Sequence, residues 1–225
     1  MREIASSGGR DAVPVGRGSS SGTPLGRHWD AAYEGHGVNG VSWFQVAPTQ
    51  SLAYVDRLQV PTDGPVVDIG GGAASLVDHL LKRGFVDVSV LDVSRAALDA
   101  ARHRVGAGAP VSWLHEDLLI WRPERRYVLW HDRAVLHFLV KPEDRDRYLA
   151  ALRSALAPGG AVIIATFAPD GPDHCSGLPV ARYSEHDLAA VLGNGFRIVD
   201  ACGDEHTTPA GVHQPFTWIA ARAVD

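Results

Sequence analysis

An α/β architecture, a seven-stranded and mostly parallel sheet with helices on both faces, is what this sequence predicts. From Pro65 onward, short β-branched runs alternate with helical patterns, as in a βαβ series, and the first of those runs opens directly into a glycine-rich turn. The strands are read at Val66–Ile69, Val86–Leu91, Val111–Leu114, Tyr127–Trp130, Ala161–Phe167, Phe196–Ala201 and Phe216–Ala220.

The helices between them follow from spacing. Over Glu143–Ala157, the residues Tyr148, Leu149, Leu152 and Leu156 fall on one face at three- and four-residue steps. Pro158-Gly159-Gly160 then marks the stop and turns the chain into the next strand. A later helix is expected to begin at Ser184, a capping residue with Asp187 three positions on, and to end at Gly193 and Gly195. Ahead of the first strand, His28 to Leu58 holds Trp29, Tyr33, Trp43 and Phe44, then an apolar helical pattern at Leu52, Val55 and Leu58. This segment is read as an N-terminal helical cap over the open end of the sheet. Residues 1–25 are rich in Gly and Ser and lack apolar periodicity, as a flexible tail does. Glu3 and Asp11 among their arginines argue against a transit peptide. Residues 26–225 are expected to form a single domain.

Composition excludes more than it identifies. A hydrophobic fraction of 45% and a charged fraction of 21% are ordinary for a globular chain. The net charge of -5, with scattered Lys and Arg, offers no surface that collects phosphates, so nucleic acid is not an expected partner. Cys175 and Cys202, the two cysteines, are too few for a disulfide framework and fit a reducing compartment. No apolar run approaches the roughly 20 residues that span a bilayer, and the expected location is cytoplasmic, without a membrane partner. The eleven histidines form no His-x-x-x-His pair, and no metal is expected.

The run Val66-Val67-Asp68-Ile69-Gly70-Gly71-Gly72-Ala73-Ala74-Ser75 joins a buried strand to a helix through glycines that let a ligand approach the backbone. Such a turn fits a dinucleotide, a SAM loop or a purely structural bend. No Lys or Arg occurs from Val66 to Leu81, which excludes a phosphate loop. Ser75 stands where a dinucleotide fingerprint has its third glycine, and Asp68 would repel a pyrophosphate while welcoming a cation. Asp92 closes the second strand, where an acid can accept hydrogen bonds from ribose hydroxyls.

These residues resemble the class I, Rossmann-like S-adenosyl-L-methionine (SAM)-dependent methyltransferases over roughly Arg27 to Arg222. The acid and alternating glycines match Asp68, Gly70 and Gly72, with Ala74 in place of the last glycine; Asp92, Glu116-Asp117-Leu118 and Pro158-Gly159-Gly160 match further motifs. A narrower likeness lies in His28-Trp29-Asp30-Ala31-Ala32-Tyr33, Ser42-Trp43-Phe44-Gln45, His131 to Phe138 and Cys175 to Val180. These look like a bacterial group related to the mitochondrial lysine methyltransferase that modifies citrate synthase.

The resemblance implies SAM as methyl donor and S-adenosyl-L-homocysteine as product. It places Asp68, Gly70 and Gly72 at the methionine end, Asp92 and Val93 at the ribose, and Asp117 and Leu118 at the adenine. Trp29 and Tyr33 would close over the cofactor, or else serve as core. His131 would line the cofactor and touch the acceptor as the catalytic candidate; a histidine bonded to a neighbouring strand is the equal alternative. Trp43, Phe44, His137, His174 and Cys175 are the substrate-side candidates. Trp130-His131-Asp132-Arg133 replaces the Asn/Asp-Pro-Pro-aromatic motif of enzymes acting on exocyclic and amide nitrogens, which disfavours those acceptors. The expected acceptor is a small molecule (thiol, amine or other metabolite), the alternative a protein lysine. A nicotinamide-dependent oxidoreductase and a non-catalytic SAM-binding protein stay open.

Overall fold

A computed structural model describes residues 22–224. Seven strands form the main sheet in the order β3-β2-β1-β4-β5-β9-β8. They are β1 (Val66–Ile69), β2 (Val88–Asp92), β3 (Val111–His115), β4 (Tyr127–Arg133), β5 (Leu156–Phe167), β8 (Phe196–Thr207) and β9 (His213–Ala223). The first five are parallel, and β9 runs antiparallel to both its neighbours. All seven expected strands are present. A two-residue hairpin of β6 (His174–Cys175) and β7 (Leu178–Pro179), which spacing did not suggest, stands apart.

Period-two alternation assigns each strand residue to one side. Val66, Val88, Val90, Ile163 and Trp218 pack with Leu52, Val55, Leu76 and Leu80 on one face, from α2 (Thr49–Arg57) and α3 (Leu76–Lys82). Val67, Ile69, Trp130, Val162, Ile164 and Ile219 meet Tyr148, Leu152 and Leu188 on the other, from α5 (Pro142–Ala155) and α6 (Glu185–Leu192). Trp130 Nε1–H donates to Tyr148 Oη at 3.0 Å, which satisfies a polar atom inside that second layer.

Two local expectations are corrected. The fifth helix ends at Ala155, and Leu156 already pairs with Tyr127; Pro158-Gly159-Gly160 then fills a bulge before Ala161 meets Leu129. The glycines re-aim an existing strand, as bulge residues do, and do not separate a helix from a strand. At the other end, α1 (Pro24–His36) is capped by Thr23, whose Oγ1 accepts from Gly26 N–H at 3.0 Å. The described structure therefore takes in Gly22 to Leu25, four positions assigned to the tail; the rest of that tail, residues 1–21, lies outside the described residues.

α4 (Arg95–Val105) ties α1 down: Asp30 Oδ1 accepts from Ser94 Oγ at 2.7 Å and from Ala96 N–H at 3.1 Å, at the positive end of that helix. The order of the strands reverses between β1 and β4, and a crevice opens outside their carboxyl ends at that point. No helix among the described residues is long and apolar enough to cross a membrane.

The expected capping box is formed: Ser184 Oγ accepts from Asp187 N–H at 3.2 Å, and Asp187 Oδ2 accepts from Ser184 N–H at 3.0 Å. Ser184→Ala is expected to lower unfolding free energy by about 1 kcal/mol. A urea titration checks it, and an unchanged midpoint would show that α6 does not depend on this cap.

Candidate functional site

Two adjoining hollows lie at the carboxyl ends of β1, β2 and β4. They share Tyr33, Trp43, Gly70 and Arg133 as walls. The glycine turn forms their floor. Gly70 has φ +64° and faces Val135 so closely that a side chain there would collide. A Cβ on Gly72, at φ +43°, would stand 2.8 Å from Asp92 Oδ2 and 3.0 Å from Tyr33 Oη. Arg104, from α4, holds the turn from behind by donating to Ala73 O at 2.9 Å and Ala74 O at 2.8 Å while it grips Asp78.

The first hollow is bordered by Asp68, His131, Ser51, Phe44 and, from the turn, Gly70, Gly71, Ala73, Ala74 and Ser75. Asp68 and His131 are neighbours across β1 and β4, and their side chains are 5% and 4% exposed. His131 Nδ1–H donates to Asp68 Oδ1 at 2.7 Å, and Ser51 Oγ–H completes the chain at His131 Nε2, 2.9 Å away. With both ring nitrogens engaged, His131 braces Asp68; removing a proton from an acceptor would require breaking one of those bonds. This is the strand-bonded alternative of the two readings of His131.

The second hollow is bordered by Trp29, Tyr33, Asp92, Val93, Asp117, Leu118, Phe138 and Cys175. Asp92 Oδ1 accepts from Ser94 N–H at 2.7 Å. Burial pushes the Asp92 carboxyl up to about 7, and the charges of Asp68 and Asp30 add to the effect. Asp117 Oδ1 accepts from Leu119 N–H at 2.9 Å, which fixes the carboxylate at the rim. The Cys175 thiol is also pushed up by burial, so it is an apolar wall and not a ready thiolate.

The aromatic cap is held in place around these hollows. Trp29 stacks edge-on against Trp43 at 5.5 Å and Phe138 at 5.1 Å, and Trp43 Nε1–H donates to Tyr33 Oη at 3.1 Å. Three carbonyls of the strap between α1 and α2 are each held by a different element. His206 Nε2–H donates to Ser42 O at 2.7 Å, Arg133 to Trp43 O at 2.9 Å, and Ser75 Oγ–H to Gln45 O at 3.1 Å.

Trp29, Tyr33, Trp43, Phe44, Asp68, Gly70, Asp92, Val93, Asp117, Leu118, His131 and Cys175 thus converge, with Gly72 against Asp92. Two substrate-side candidates do not. His137 is fully buried beneath the loop after β4, where Phe167 N–H donates to its Nδ1 at 3.4 Å, and burial pushes it down to about 3. His174 is turned to solvent beside Asp173. Sequence reading missed Ser51, Val135, Phe138 and Arg133. Arg133, Val135 and Phe138 lay within the stretch His131 to Phe138 without a role, and Arg133 also carried a signal as a charge at the carboxyl end of a parallel strand.

Asp132 sets the shape of that end. It accepts from Val135 N–H at 2.8 Å and Leu136 N–H at 3.1 Å, and it holds Ala134 at φ +73°, a left-handed conformation that costs a non-glycine residue energy.

Residues 66–160 match the model of a methyltransferase domain. The EEF1A lysine methyltransferase 2 of Mus musculus is 30% identical over 101 residues, 41% of this chain and 39% of that protein. The malonyl-[acyl-carrier protein] O-methyltransferase 1 of Ilyobacter polytropus is 26% identical over 166 residues, 66% of this chain and 60% of that one. The match therefore spans less than two thirds of the length of these curated relatives. Among solved structures, the 1,6-didemethyltoxoflavin-N1-methyltransferase of Burkholderia thailandensis, with its substrate and S-adenosylhomocysteine bound, superposes with a TM-score of 0.68 at 22% identity. The superposition covers 95% of this chain and 94% of that one. A protein from echinomycin biosynthesis, described for converting a disulfide into a thioacetal, gives 0.71 at 21% identity over 88% and 93%. At these identities the superpositions establish the fold, the class I methyltransferase arrangement of strands.

Cutting the brace at His131 leaves Asp68 buried without its donor. His131→Ala is expected to destabilise the protein by about 3–5 kcal/mol, as breaking one side of a buried pair does. A loss below about 1 kcal/mol in chemical denaturation would show that the pair is not structural.

Proposed function

We propose that this chain is a SAM-dependent methyltransferase that uses the crevice between β1 and β4, with a small molecule as acceptor. The observation that carries the reading is the placement of Asp92: a buried acid at the end of β2, against the Gly72 backbone, inside a hollow where only Asp117 and Arg133 join it as charged residues among mostly apolar walls. The match of residues 66–160 to a methyltransferase domain supports it.

The residues present fit the cofactor. Asp92 can accept from ribose hydroxyls, Asp117 and Leu118 border the place for an adenine, and Asp68 with the backbone from Gly70 to Gly72 meets the cationic methionine end. At Gly70 and Gly72 the turn packs directly against Val135, Asp92 and Tyr33, a closeness that a Cβ would not allow. When bound, SAM supplies a methyl group on a sulfonium that is already a good leaving group.

The chain's contribution is then alignment and exclusion of water. Alignment is worth roughly 7–11 kcal/mol, against about 3–5.5 kcal/mol for a general base giving on the order of 10²–10⁴ in rate. Trp29, Tyr33 and Trp43 cover the hollow, and the pinned strap keeps them there. Deprotonation of the acceptor is not assigned to His131, whose nitrogens are occupied. A protein lysine is the competing acceptor, favoured by the relative from Mus musculus. Labelled SAM incubated with small-molecule and protein fractions of a lysate separates the two. Incorporation into neither, together with no affinity for S-adenosylhomocysteine, would sink the whole reading.

Asp92 also makes binding depend on pH. Its folded-state value of about 7 lies above the ordinary 3.8, so between those values the folded chain keeps a proton that the unfolded chain loses. The contribution of Asp92 to stability therefore falls as pH rises through that window. Donation from ribose hydroxyls favours the ionised form, so affinity for S-adenosylhomocysteine is expected to tighten about tenfold from pH 6 to pH 8 and then level off. Asp92→Asn should weaken binding by roughly 1–3 kcal/mol and flatten that profile. Calorimetric titration at three pH values checks both; an equally steep profile in the variant would remove Asp92 from the ribose site.

A further inference from the structure

We propose that Arg133 anchors an anionic group, a carboxylate, on the methyl acceptor, and that the acceptor's frame is flat and apolar; this rests on the methyltransferase reading. Arg133 closes β4 and borders both hollows. Its Nη1 is used by the strap, donating to Trp43 O at 2.9 Å, and its guanidinium lies over the Phe216 ring, 5.1 Å from the centroid. Its Nη2 is sealed from solvent and has no hydrogen-bond partner among the described residues.

A buried cation is ordinarily paired. Among the described residues no carboxylate lies within ion-pair distance of Arg133; Asp204 and Asp68 act on it only through space. Burial lowers its affinity for the proton, to about 10, which leaves it charged at neutral pH. The chain therefore maintains a positive charge beside both hollows; an anionic ligand group there neutralises it, and reaches the sealed Nη2 once the side chain shifts toward the ligand. A planar guanidinium suits a carboxylate best.

The remaining walls of the second hollow describe the rest of the acceptor. Trp29, Trp43 and Phe138 line it with aromatic rings, and Cys175 presents a protonated thiol. A lysine side chain would bring an ammonium toward Arg133, so the same feature favours a small anion over a protein lysine.

The test uses benzoate and its neutral counterpart benzamide as probes, followed by tryptophan fluorescence, on the wild type, Arg133→Lys and Arg133→Met. Each titration is run with and without S-adenosylhomocysteine. The wild type should bind benzoate at least tenfold more tightly than benzamide. Arg133→Lys should keep part of that preference and Arg133→Met none. No preference in the wild type, or one that survives in Arg133→Met, overturns the proposal. So does a tenfold loss of S-adenosylhomocysteine with 5′-methylthioadenosine unaffected, since that gives Arg133 to the carboxylate of the cofactor. Should the wild type bind no S-adenosylhomocysteine, the methyltransferase reading falls, while the benzoate arm without it still decides the anion site. Arg133→Lys, with a charge in the same place, keeps the comparison available if Arg133→Met unfolds.

Discussion

The carboxylate of Asp68 is the group around which the rest of the site is arranged. It lies one residue before the end of a buried strand, on the face covered by α2, where an unpaired charge would cost several kcal/mol. The parallel register sets His131 opposite it, and α2 brings Ser51 to the far side of the ring. One chain of hydrogen bonds thereby fixes β1 to β4 and both to a helix of the cap. The glycine turn starts two residues later, and its position relative to β4 is set by that chain. Loss of the pair would loosen the turn, the loop after β4 and the seat of α2 together.

Charge is distributed unevenly around the hollows. Asp30, Asp68 and Asp92 gather on the side of the glycine turn, each with at least one donor from the protein. Arg104 stands outside, bound to turn carbonyls and to Asp78, so it shapes the turn without neutralising its interior. Among the described residues, Arg133 is the cation that borders both hollows. The two ends of the crevice therefore favour opposite charges, a cation by the turn and an anion by β4.

What could be read from the residues alone followed from periodicity and from rules that act within a few positions. Alternating β-branched runs located all seven strands, Ser184 with Asp187 located a cap, and the acid-glycine turn located the floor of the site. Features that depend on distant segments were out of reach. Pro158-Gly159-Gly160 has the composition of a stop, and only pairing of Leu156 with Tyr127 makes it a bulge. His137 and His174 looked alike as polar residues after strands; the fold of the loop held by Asp132 buries the first, and the small β6–β7 hairpin exposes the second. Ser51 carried no signal, because its role exists only where α2 crosses β4. Arg133 lies within the Trp130-His131-Asp132-Arg133 run, but its unpaired nitrogen is a property of the packed structure.

The strap from Ser42 to Gln45 has three carbonyls in the grip of β8, β4 and the glycine turn. If each bond contributes about 0.5–1.5 kcal/mol net, lifting the strap costs roughly 1.5–4.5 kcal/mol. A state opened in that way would hold from about one molecule in ten down to about one in two thousand. Such a strap acts as a latch on a fixed wall more than as a swinging door. Traffic of ligands would then be set by the frequency of a rare opening, and a substitution at His206, distant in sequence from every residue that touches a ligand, would change how fast molecules exchange before it changed how tightly they are held.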